Sequence, residues 1–334
     1  MSDPHPPSVS RRDFLARTGL MTGATLFANR SQESAAESRA PGGTIPDGLP
    51  RRTLGRTQLP VTTFTLGTAA FGSLAPREIA RLVNFTLDQG VNSVDTSQQY
   101  QNAQEGIGLA LGKRREDVVL ATKVFANSIE EAEASLAKSI RLLKTDYFDV
   151  LFYHSLGNLN LDGTMDPDGV FSWLVRQKQA GNCRFVGVSG HHLPGRFQTF
   201  LESGEVDVLL AAVNFVDCHT YDFENRVLPL ARRHDIGIVA MKVYGGMAGM
   251  NYRKPAPAQL PPQHVPLAFR YALSLPGVAT ANIGVCNEEE ILHNVQMART
   301  FQPLTPEEHA SLLEKGKPLA ADWGAHFGPV EEPA

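Results

Sequence analysis

The sequence has little of what disulfide-bonded, metal-binding and membrane-spanning proteins require. Only 3 of its 334 residues are cysteines, and no two of them form a C-x-x-C pair. Cysteines so widely separated argue against a disulfide framework and against a cysteine-ligated metal site. We expect them to be small buried side chains or a stray thiol. No apolar run approaches the ~20 residues that cross a bilayer, so we expect no stable membrane span.

A strong charge of either sign is also missing. The 31 Lys and Arg residues nearly balance the 35 Asp and Glu residues, which gives a formal net charge of -4. Nucleic-acid binding depends on a basic surface that neutralises phosphates, so we expect no nucleic-acid partner. The length is ample for one large domain with a buried core, although length alone would also permit two domains.

The amino terminus differs in composition from the rest of the chain. Residues 10–15 read S-R-R-D-F-L, a twin-arginine export motif, and a modestly apolar run follows to about residue 28. Residues 29–48 are rich in Ser, Ala, Gly, Pro and Glu, which is typical of a linker. We therefore predict a signal segment at 1–28, a linker at 29–48, the twin-arginine export machinery as a partner, and a periplasmic or otherwise exported location. The small residues S-A-A at 34–36 fit a signal cleavage site better than the residues L-F-A at 26–28 do.

Apolar runs alternate with amphipathic segments from residue 63 to residue 298. The apolar runs predict strands at 63–68, 92–97, 118–124, 148–154, 184–189, 206–213, 236–242 and 279–285. The amphipathic segments predict helices at 76–89, 103–111, 128–144, 168–180, 195–202, 225–234, 265–275 and 288–298. The strand segments are nearly continuous apolar runs, as in parallel sheets that are covered on both faces.

Eight strand–helix units over ~240 residues predict an α/β protein with the (β/α)8 TIM barrel fold. The competing fold, a doubly wound open sheet, usually has a G-x-G-x-x-G turn after its first strand, and no such turn occurs here. We place a single barrel domain at residues 49–318 and a C-terminal tail at 319–334.

Four chemically active side chains fall at the ends of three neighbouring predicted strands. Asp95 lies near the end of one predicted strand with Tyr100 just beyond it, Lys123 lies at the carboxyl end of the next, and His154 ends the third. Parallel α/β proteins place their chemistry at the carboxyl ends of their strands. A buried ammonium needs a partner, and Asp95 can supply it to Lys123. Each residue alone has an ordinary structural explanation, such as a helix cap or a core histidine, but the four together predict an active site.

The sequence resembles the aldo-keto reductase family. The matching phrases are V-D-T-S-Q-Q-Y, A-T-K-V, D-Y-F-D-V-L-F-Y-H, R-F-V-G-V-S-G-H and I-G-I-V-A-M-K, which occur in family order across roughly residues 50–300. The sequence looks closest to the exported or iron–sulfur-associated branch, although it has no cysteine cluster for a cluster-binding tail. The resemblance implies hydride transfer between a nicotinamide cofactor, NADP or NAD, and a small carbonyl or alcohol substrate.

The resemblance further implies a catalytic tetrad of Asp95, Tyr100, Lys123 and His154, with Tyr100 as the proton donor. A carbonyl that receives hydride develops an alkoxide, which needs a proton and stabilising donors. A free phenol, with a pKa of ~10, is a poor donor at neutral pH, and a nearby ammonium favours the phenolate. Asp95 would hold that ammonium, and His154 would orient the substrate oxygen.

The cofactor pocket that the resemblance implies departs from the family pattern at several positions. The candidate cofactor-binding residues are Ser189, Gly190, His191, Asn214, Met241, Lys242, Gly284, Asn287 and Asn294. Gly190 and Leu210 replace the expected amides, and Met241 replaces a stacking aromatic ring. Gly284 and Glu290 replace a Lys and an Arg that bind the 2′-phosphate of NADP, which predicts parity between the cofactors or a preference for NAD. The glutamates at 288–290 could instead simply lie there because the helix dipole favours negative charge at a helix N-terminus.

Two further features leave alternatives open. Lys242 could bind a phosphate or the substrate, or it could be a solvated rim lysine. The adjacent His191 and His192 have no carboxylate or cysteine at ligand spacing, so we expect no metal site.

The tetrad predicts an enzyme, while the altered cofactor pocket keeps open a non-catalytic cofactor-binding or redox-sensing protein on the same barrel. The identity of the carbonyl substrate depends on variable loops and is not predicted.

Overall fold

The structure, a computed structural model, describes residues 48–247 and 257–332. The strands in these residues are, in chain order, β1 (Arg51–Thr53), β2 (Pro60–Thr62), β3 (Phe64–Gly67), β4 (Ser93–Asp95), β5 (Val119–Val124), β6 (Phe148–Tyr153), β7 (Cys183–Gly190), β8 (Val208–Ala212), β9 (Gly237–Met241) and β10 (Val278–Gly284). Strands β3 to β10 form a closed parallel barrel in which β10 pairs with β3. The predicted TIM barrel is confirmed. The predicted signal segment and linker lie outside the described residues, except for Gly48.

Ten helices of the described residues surround the barrel. They are α1 (Pro76–Asp88), α2 (Ala103–Leu111), α3 (Ile129–Leu143), α4 (Val170–Ala180), α5 (Phe197–Glu202), α6 (Phe223–Arg226), α7 (Leu228–Arg233), α8 (Val265–Ser274), α9 (Glu288–Arg299) and α10 (Pro306–Trp323). Most begin and end within two residues of the predicted bounds. In the part of the chain that the structure describes, none of these helices is both long and apolar enough to cross a membrane.

The single helix predicted at 225–234 is wrong, because the chain forms two short helices there. Helix α6 ends at Arg226, and α7 begins at Leu228 with Pro229 in its first turn. A proline has no backbone N–H to donate to the residue four positions earlier, so a continuous helix through this position would lose a hydrogen bond.

A hairpin of β1 and β2 closes the amino-terminal end of the barrel. Leu54 and Leu59 from this hairpin pack with the apolar side chains inside the barrel. The backbone N–H of Arg56 donates to the Asp235 carbonyl, just before β9 begins. The hairpin therefore fills one end of the barrel, and the opposite end is left for a site.

The strand register brings polar residues to that opposite end. Gly67 of β3 lies beside Asp95 of β4, and Lys123 of β5 lies beside Phe152 of β6. Parallel strands that are aligned in this way present their carboxyl ends at one rim. The residues predicted from three separate apolar runs therefore share one rim of the barrel.

The last helix and the residues after it return to this rim. Helix α10 packs against the turn after β8 so closely that a Cβ at Gly316 would lie 2.0 Å from the Phe215 carbonyl oxygen. The helix ends at Trp323, beyond the predicted boundary at residue 318. Phe327 then packs against the His191 ring, with 5.6 Å between the ring centroids. Residues 324–332 thus contact the mouth of the barrel.

Candidate active site

The structure brings the four predicted catalytic residues together. The Lys123 Nζ atom donates to Asp95 Oδ2 at 2.5 Å and to the Thr96 carbonyl oxygen at 2.8 Å. The same Nζ atom lies 5.0 Å from the centre of the Tyr100 ring. The Tyr100 ring in turn meets the His154 ring edge-on, with 6.2 Å between the centroids. Asp95 therefore fixes the ammonium over the face of the Tyr100 ring.

The Lys123 ammonium is buried, and its surroundings disfavour its positive charge. Its side chain is almost fully buried, as is that of Asp95. Burial lowers the pKa of Lys123, the Asp95 carboxylate opposes this effect, and the positive charge of Lys242 adds to the lowering. Because Asp95 is the carboxylate that offsets the burial of this charge, removal of either partner leaves an uncompensated ion in the barrel.

The His154 imidazole is held neutral beside the tyrosine. Burial lowers the pKa of His154 well below its ordinary value, and the charges of Lys123 and Lys242 lower it further. Its Nδ1 atom lies 3.4 Å from the Ser97 hydroxyl oxygen. A neutral imidazole has one ring nitrogen that donates and one that accepts, so His154 can offer a hydrogen bond without adding a third positive charge.

Asn282 on β10 belongs to the same cluster, although it was not predicted. Its Nδ2 atom donates to Asp95 Oδ2 at 3.0 Å. Gly67, on the strand between them, makes room for this contact, because a Cβ there would lie 2.5 Å from Asn282 Oδ1. The Oδ1 atom itself is buried and has no hydrogen-bond partner within residues 48–247 and 257–332. The sequence signal that could have identified it is an asparagine within the mostly apolar strand A-T-A-N-I-G.

A cavity of about 360 Å³ extends from the tetrad to the beginning of α9. Its walls include Asp95, Tyr100 and Lys123 at one end, and Cys286 and Glu290 at the other. Five of the candidate cofactor residues also line it: His191, Met241, Lys242, Gly284 and Asn294. Ser189, Gly190, Asn214 and Asn287 are not among the described residues that line this cavity. The cavity therefore joins part of the predicted cofactor site to the predicted catalytic site.

Three candidate cofactor residues that do not line the cavity are instead in contact with other parts of the protein. Ser189 Oγ accepts a hydrogen bond from the Ser155 N–H at 3.1 Å. A Cβ at Gly190 would lie 2.7 Å from the Phe197 ring, so a larger residue there would force the ring to move. Asn214 is buried, and both of its amide atoms are bonded to other parts of the protein.

The end of the cavity at α9 is dominated by a helix cap. Asn287 Oδ1 accepts from the Glu290 N–H at 2.9 Å, and Glu290 Oε2 accepts from the Cys286 N–H at 2.7 Å. Asn294 Nδ2 donates to the Glu290 carbonyl oxygen, and Asn294 Oδ1 accepts from the Tyr244 hydroxyl at 2.6 Å. The Glu290 carboxylate is thus drawn to its own helix terminus, which agrees with the simpler explanation of the glutamate run.

The model of the Aldo/keto reductase family matches residues 63–265, which is more than half of the chain. The chain belongs to the aldo/keto reductase family. The matched region begins one residue before β3 and ends where α8 begins, so it includes all four tetrad residues.

The similar proteins include one curated protein and two solved structures at low sequence identity. Prostaglandin F synthase 1 of Bos taurus is 27% identical over 203 residues, which is 52% of this chain and 62% of that protein's length. A solved aldo-keto reductase structure of Bacillus halodurans, in its holo form, is 24% identical, with a TM-score of 0.66, and covers 80% of this chain and 96% of that one. An aldo/keto reductase structure of Klebsiella pneumoniae in complex with NADP and acetate is 22% identical, with a TM-score of 0.64 and coverage of 79% and 94%. At these identities the solved structures establish the fold.

We predict that Lys123→Met destabilises this aldo/keto reductase by about 3–5 kcal/mol, because it leaves the buried Asp95 carboxylate without its cation. Urea unfolding followed by circular dichroism measures the change. The double variant Asp95→Asn/Lys123→Met removes both charges and should recover most of the loss. A single variant whose unfolding free energy equals that of the wild type would contradict the importance of the pair.

Proposed function

We propose that this aldo/keto reductase is an NADP(H)-dependent oxidoreductase that interconverts a small carbonyl compound and its alcohol, with Tyr100 as the proton donor. The observation that carries the proposal is the position of the Lys123 ammonium, 5.0 Å from the Tyr100 ring and held by Asp95. Both side chains line the cavity that runs on to α9. A proton donor, a cation that stabilises its conjugate base and space for a cofactor are therefore adjacent.

The bound nicotinamide would supply the hydride that the carbonyl carbon receives. As the C=O π bond breaks, negative charge develops on the oxygen, and the Tyr100 hydroxyl gives that oxygen its proton. Lys123 stabilises the phenolate that Tyr100 becomes, and Asp95 keeps Lys123 in place. His154, neutral and packed edge-on against Tyr100, orients the phenol.

The residues around the cavity fit a nicotinamide better than they fit a 2′-phosphate. Met241 provides an apolar surface on which a ring can pack. At the other end, Gly284 and Glu290 provide no cation for the phosphate. The Klebsiella pneumoniae relative was solved with NADP, and on this basis we propose NADP(H) as the cofactor, with only a limited preference over NAD(H).

We predict that Tyr100→Phe lowers kcat by about 10²- to 10⁴-fold and leaves the NADPH dissociation constant within a few-fold, because it removes only the proton donor. Steady-state reduction of an aldehyde panel and NADPH titration by protein fluorescence measure the two quantities. Tyr147→Phe is the matched control, because Tyr147 packs on Arg115 just before β6, at the opposite end of the barrel.

Substantial turnover by Tyr100→Phe would remove the tyrosine from the mechanism. If the wild-type protein binds NADPH and reduces none of the aldehydes, a non-catalytic cofactor-binding protein becomes the better description. These two outcomes are distinct, because the first concerns one residue and the second concerns the activity itself.

We predict that the wild-type protein prefers NADPH to NADH by less than about a hundredfold, since paired Lys or Arg contacts of ~1.5–3 kcal/mol each are missing. Glu290→Gln should raise this preference by about threefold to tenfold, because it removes an exposed negative charge near the phosphate end. Dissociation constants of both reduced cofactors at two salt concentrations measure it. Glu289→Gln is the control, since Glu289 adjoins Glu290 but is not among the described cavity residues. A wild-type preference far above a hundredfold would reveal another phosphate-binding cation.

We also propose that the protein belongs to the exported branch of the family and crosses the membrane as a twin-arginine substrate, with residues 1–28 as the signal, 29–48 as the linker and a periplasmic or similar destination. The support is the S-R-R-D-F-L motif at residues 10–15 and the apolar run after it. Twin-arginine transport carries folded proteins, so the barrel would fold and bind its cofactor before export.

We predict that replacing Arg11 and Arg12 together with lysine retains the precursor in the cytoplasm, because the export machinery recognises the arginine pair itself. Cell fractionation with immunodetection measures the distribution. Arg17→Lys is the matched control, because Arg17 is a basic residue in the same segment but outside the motif. Undiminished export of the double-lysine variant would refute the signal.

A further inference from the structure

Gln104 is a fully buried amide on the outer side of the barrel, close to the segment that carries Tyr100. It is the second residue of α2. The carbonyl oxygen of Tyr100 accepts the N–H of Ala103, the first residue of α2, at 2.9 Å. The turn that contains Tyr100 is therefore joined directly to the beginning of α2, so the position of this helix end affects the position of the tyrosine.

The Gln104 amide connects α2 to the strand that carries Lys123. Its Nε2 atom donates to Thr122 Oγ1 of β5 at 2.9 Å and to Ser139 Oγ of α3 at 3.0 Å. Thr122 directly precedes Lys123, and successive side chains of a strand point to opposite faces. Among the described residues, no other side chain of α2 hydrogen-bonds to β5. The Gln104–Thr122 hydrogen bond thus links the two segments from outside the barrel.

The packing of α2 does not itself require an amide at this position. The other buried residues of this helix, such as Ala103, Ile107 and Leu111, are apolar or glycine. The Gln104 Oε1 atom is buried and has no hydrogen-bond partner in the part of the chain that the structure describes. A buried polar atom without a partner destabilises a fold. The presence of Gln104 in spite of this cost indicates a role for its two hydrogen bonds beyond packing.

The spacing between the Tyr100 turn and β5 determines how the ammonium meets the phenol. Lys123 Nζ lies 5.0 Å from the centre of the Tyr100 ring, and Asp95 and the Thr96 carbonyl oxygen hold that ammonium in place. The interaction between a charge and a phenolate weakens with distance, and it is strong where water is excluded. A small change in this spacing would therefore alter how well Lys123 stabilises the phenolate.

We propose that Gln104 is a positioning residue for the proton-transfer step, because its hydrogen bond to Thr122 fixes the Tyr100 turn against β5 and so sets the distance between Tyr100 and Lys123. This inference deepens the proposed reductase function and rests on it. Gln104 is not among the described residues that line the cavity. The carbonyl carbon gains the hydride and the carbonyl oxygen gains the Tyr100 proton, so Gln104 acts only through the geometry of the other two residues.

Two matched hydroxyl deletions test the proposal, because the same amide bonds two hydroxyls. Thr122→Val removes the acceptor on β5 and keeps the side-chain shape, whereas Ser139→Ala removes the acceptor on α3, which carries no tetrad residue. Thr122→Val should lower kcat for aldehyde reduction about tenfold and leave KM and the NADPH dissociation constant within about threefold, because it misplaces the reacting groups without removing them. Ser139→Ala should keep kcat within about twofold, and so should Thr122→Ser, which retains the hydroxyl.

Gln104→Met separates positioning from stability. It removes both hydrogen bonds, and it should lower kcat about tenfold and also lower the free energy of unfolding in urea. Adding Thr122→Val and Ser139→Ala removes the two buried hydroxyls that lost their partner, which should recover most of the stability while kcat stays low. If kcat recovers together with stability, Gln104 has a purely structural role and the proposal is overturned. A wild-type kcat in Thr122→Val, or an equal loss of kcat in Ser139→Ala, would also overturn it.

A spectroscopic measurement separates this inference from the proposed function, because it requires no turnover. In protein that contains ring-labelled tyrosine, the nuclear magnetic resonance signal of Tyr100 is identified by its loss in Tyr100→Phe. That signal should shift in Thr122→Val and keep its wild-type position in Ser139→Ala. If the wild-type protein reduces no aldehyde, the reductase function fails, yet this pattern of shifts would still support the positioning role of the Gln104–Thr122 hydrogen bond. An unchanged Tyr100 signal in Thr122→Val would overturn that role directly.

Discussion

The buried ion pair between Lys123 and Asp95 is the interaction on which the rest of the site depends. Two charges are costly to remove from water, and the cost is offset only when both are fully hydrogen-bonded. The Thr96 carbonyl and Asn282 supply those extra bonds. Asp95 and Lys123 lie on neighbouring strands, but Asn282 comes from β10, which closes the barrel by pairing with β3, so the full set of partners meets only when the barrel has closed. The chemistry of the site therefore depends on the complete fold and cannot reside in a fragment of it.

The barrel, and the position of the four tetrad residues at one rim of it, were predictable because both follow from local patterns. The barrel strands are mostly apolar runs, and three of the tetrad residues lie within one residue of a strand end. The break between α6 and α7 was missed because the apolar spacing continues across Pro229, although the proline itself was visible. Helix α10 was also not predicted, although the capping box of Thr305 and Glu308 is a recognisable helix start.

Asn282 was missed for a different physical reason. One asparagine in an apolar strand has no periodic signature, and its partner Asp95 is 187 positions away in the sequence. Its contact also depends on the absence of a side chain at Gly67, on the strand between them. A relation among three strands cannot be inferred from the spacing within any one of them.

For the cofactor candidates, resemblance to the family predicted which residues to consider but not which groups they hydrogen-bond. Ser189 and Asn214 were predicted to bind the cofactor, yet here their hydrogen bonds go to the protein. Asn214 is engaged because Asp217, its neighbour in the turn after β8, is held by His326 from the end of the chain. The exposed pairs of Arg196 with Glu332 and of Arg226 with Glu331 contribute little individually. The more buried contacts, of His326 with Asp217 and of Phe327 with the His191 ring, also hold this segment against the mouth of the barrel. Residues far outside the barrel strands therefore support the turn after β8.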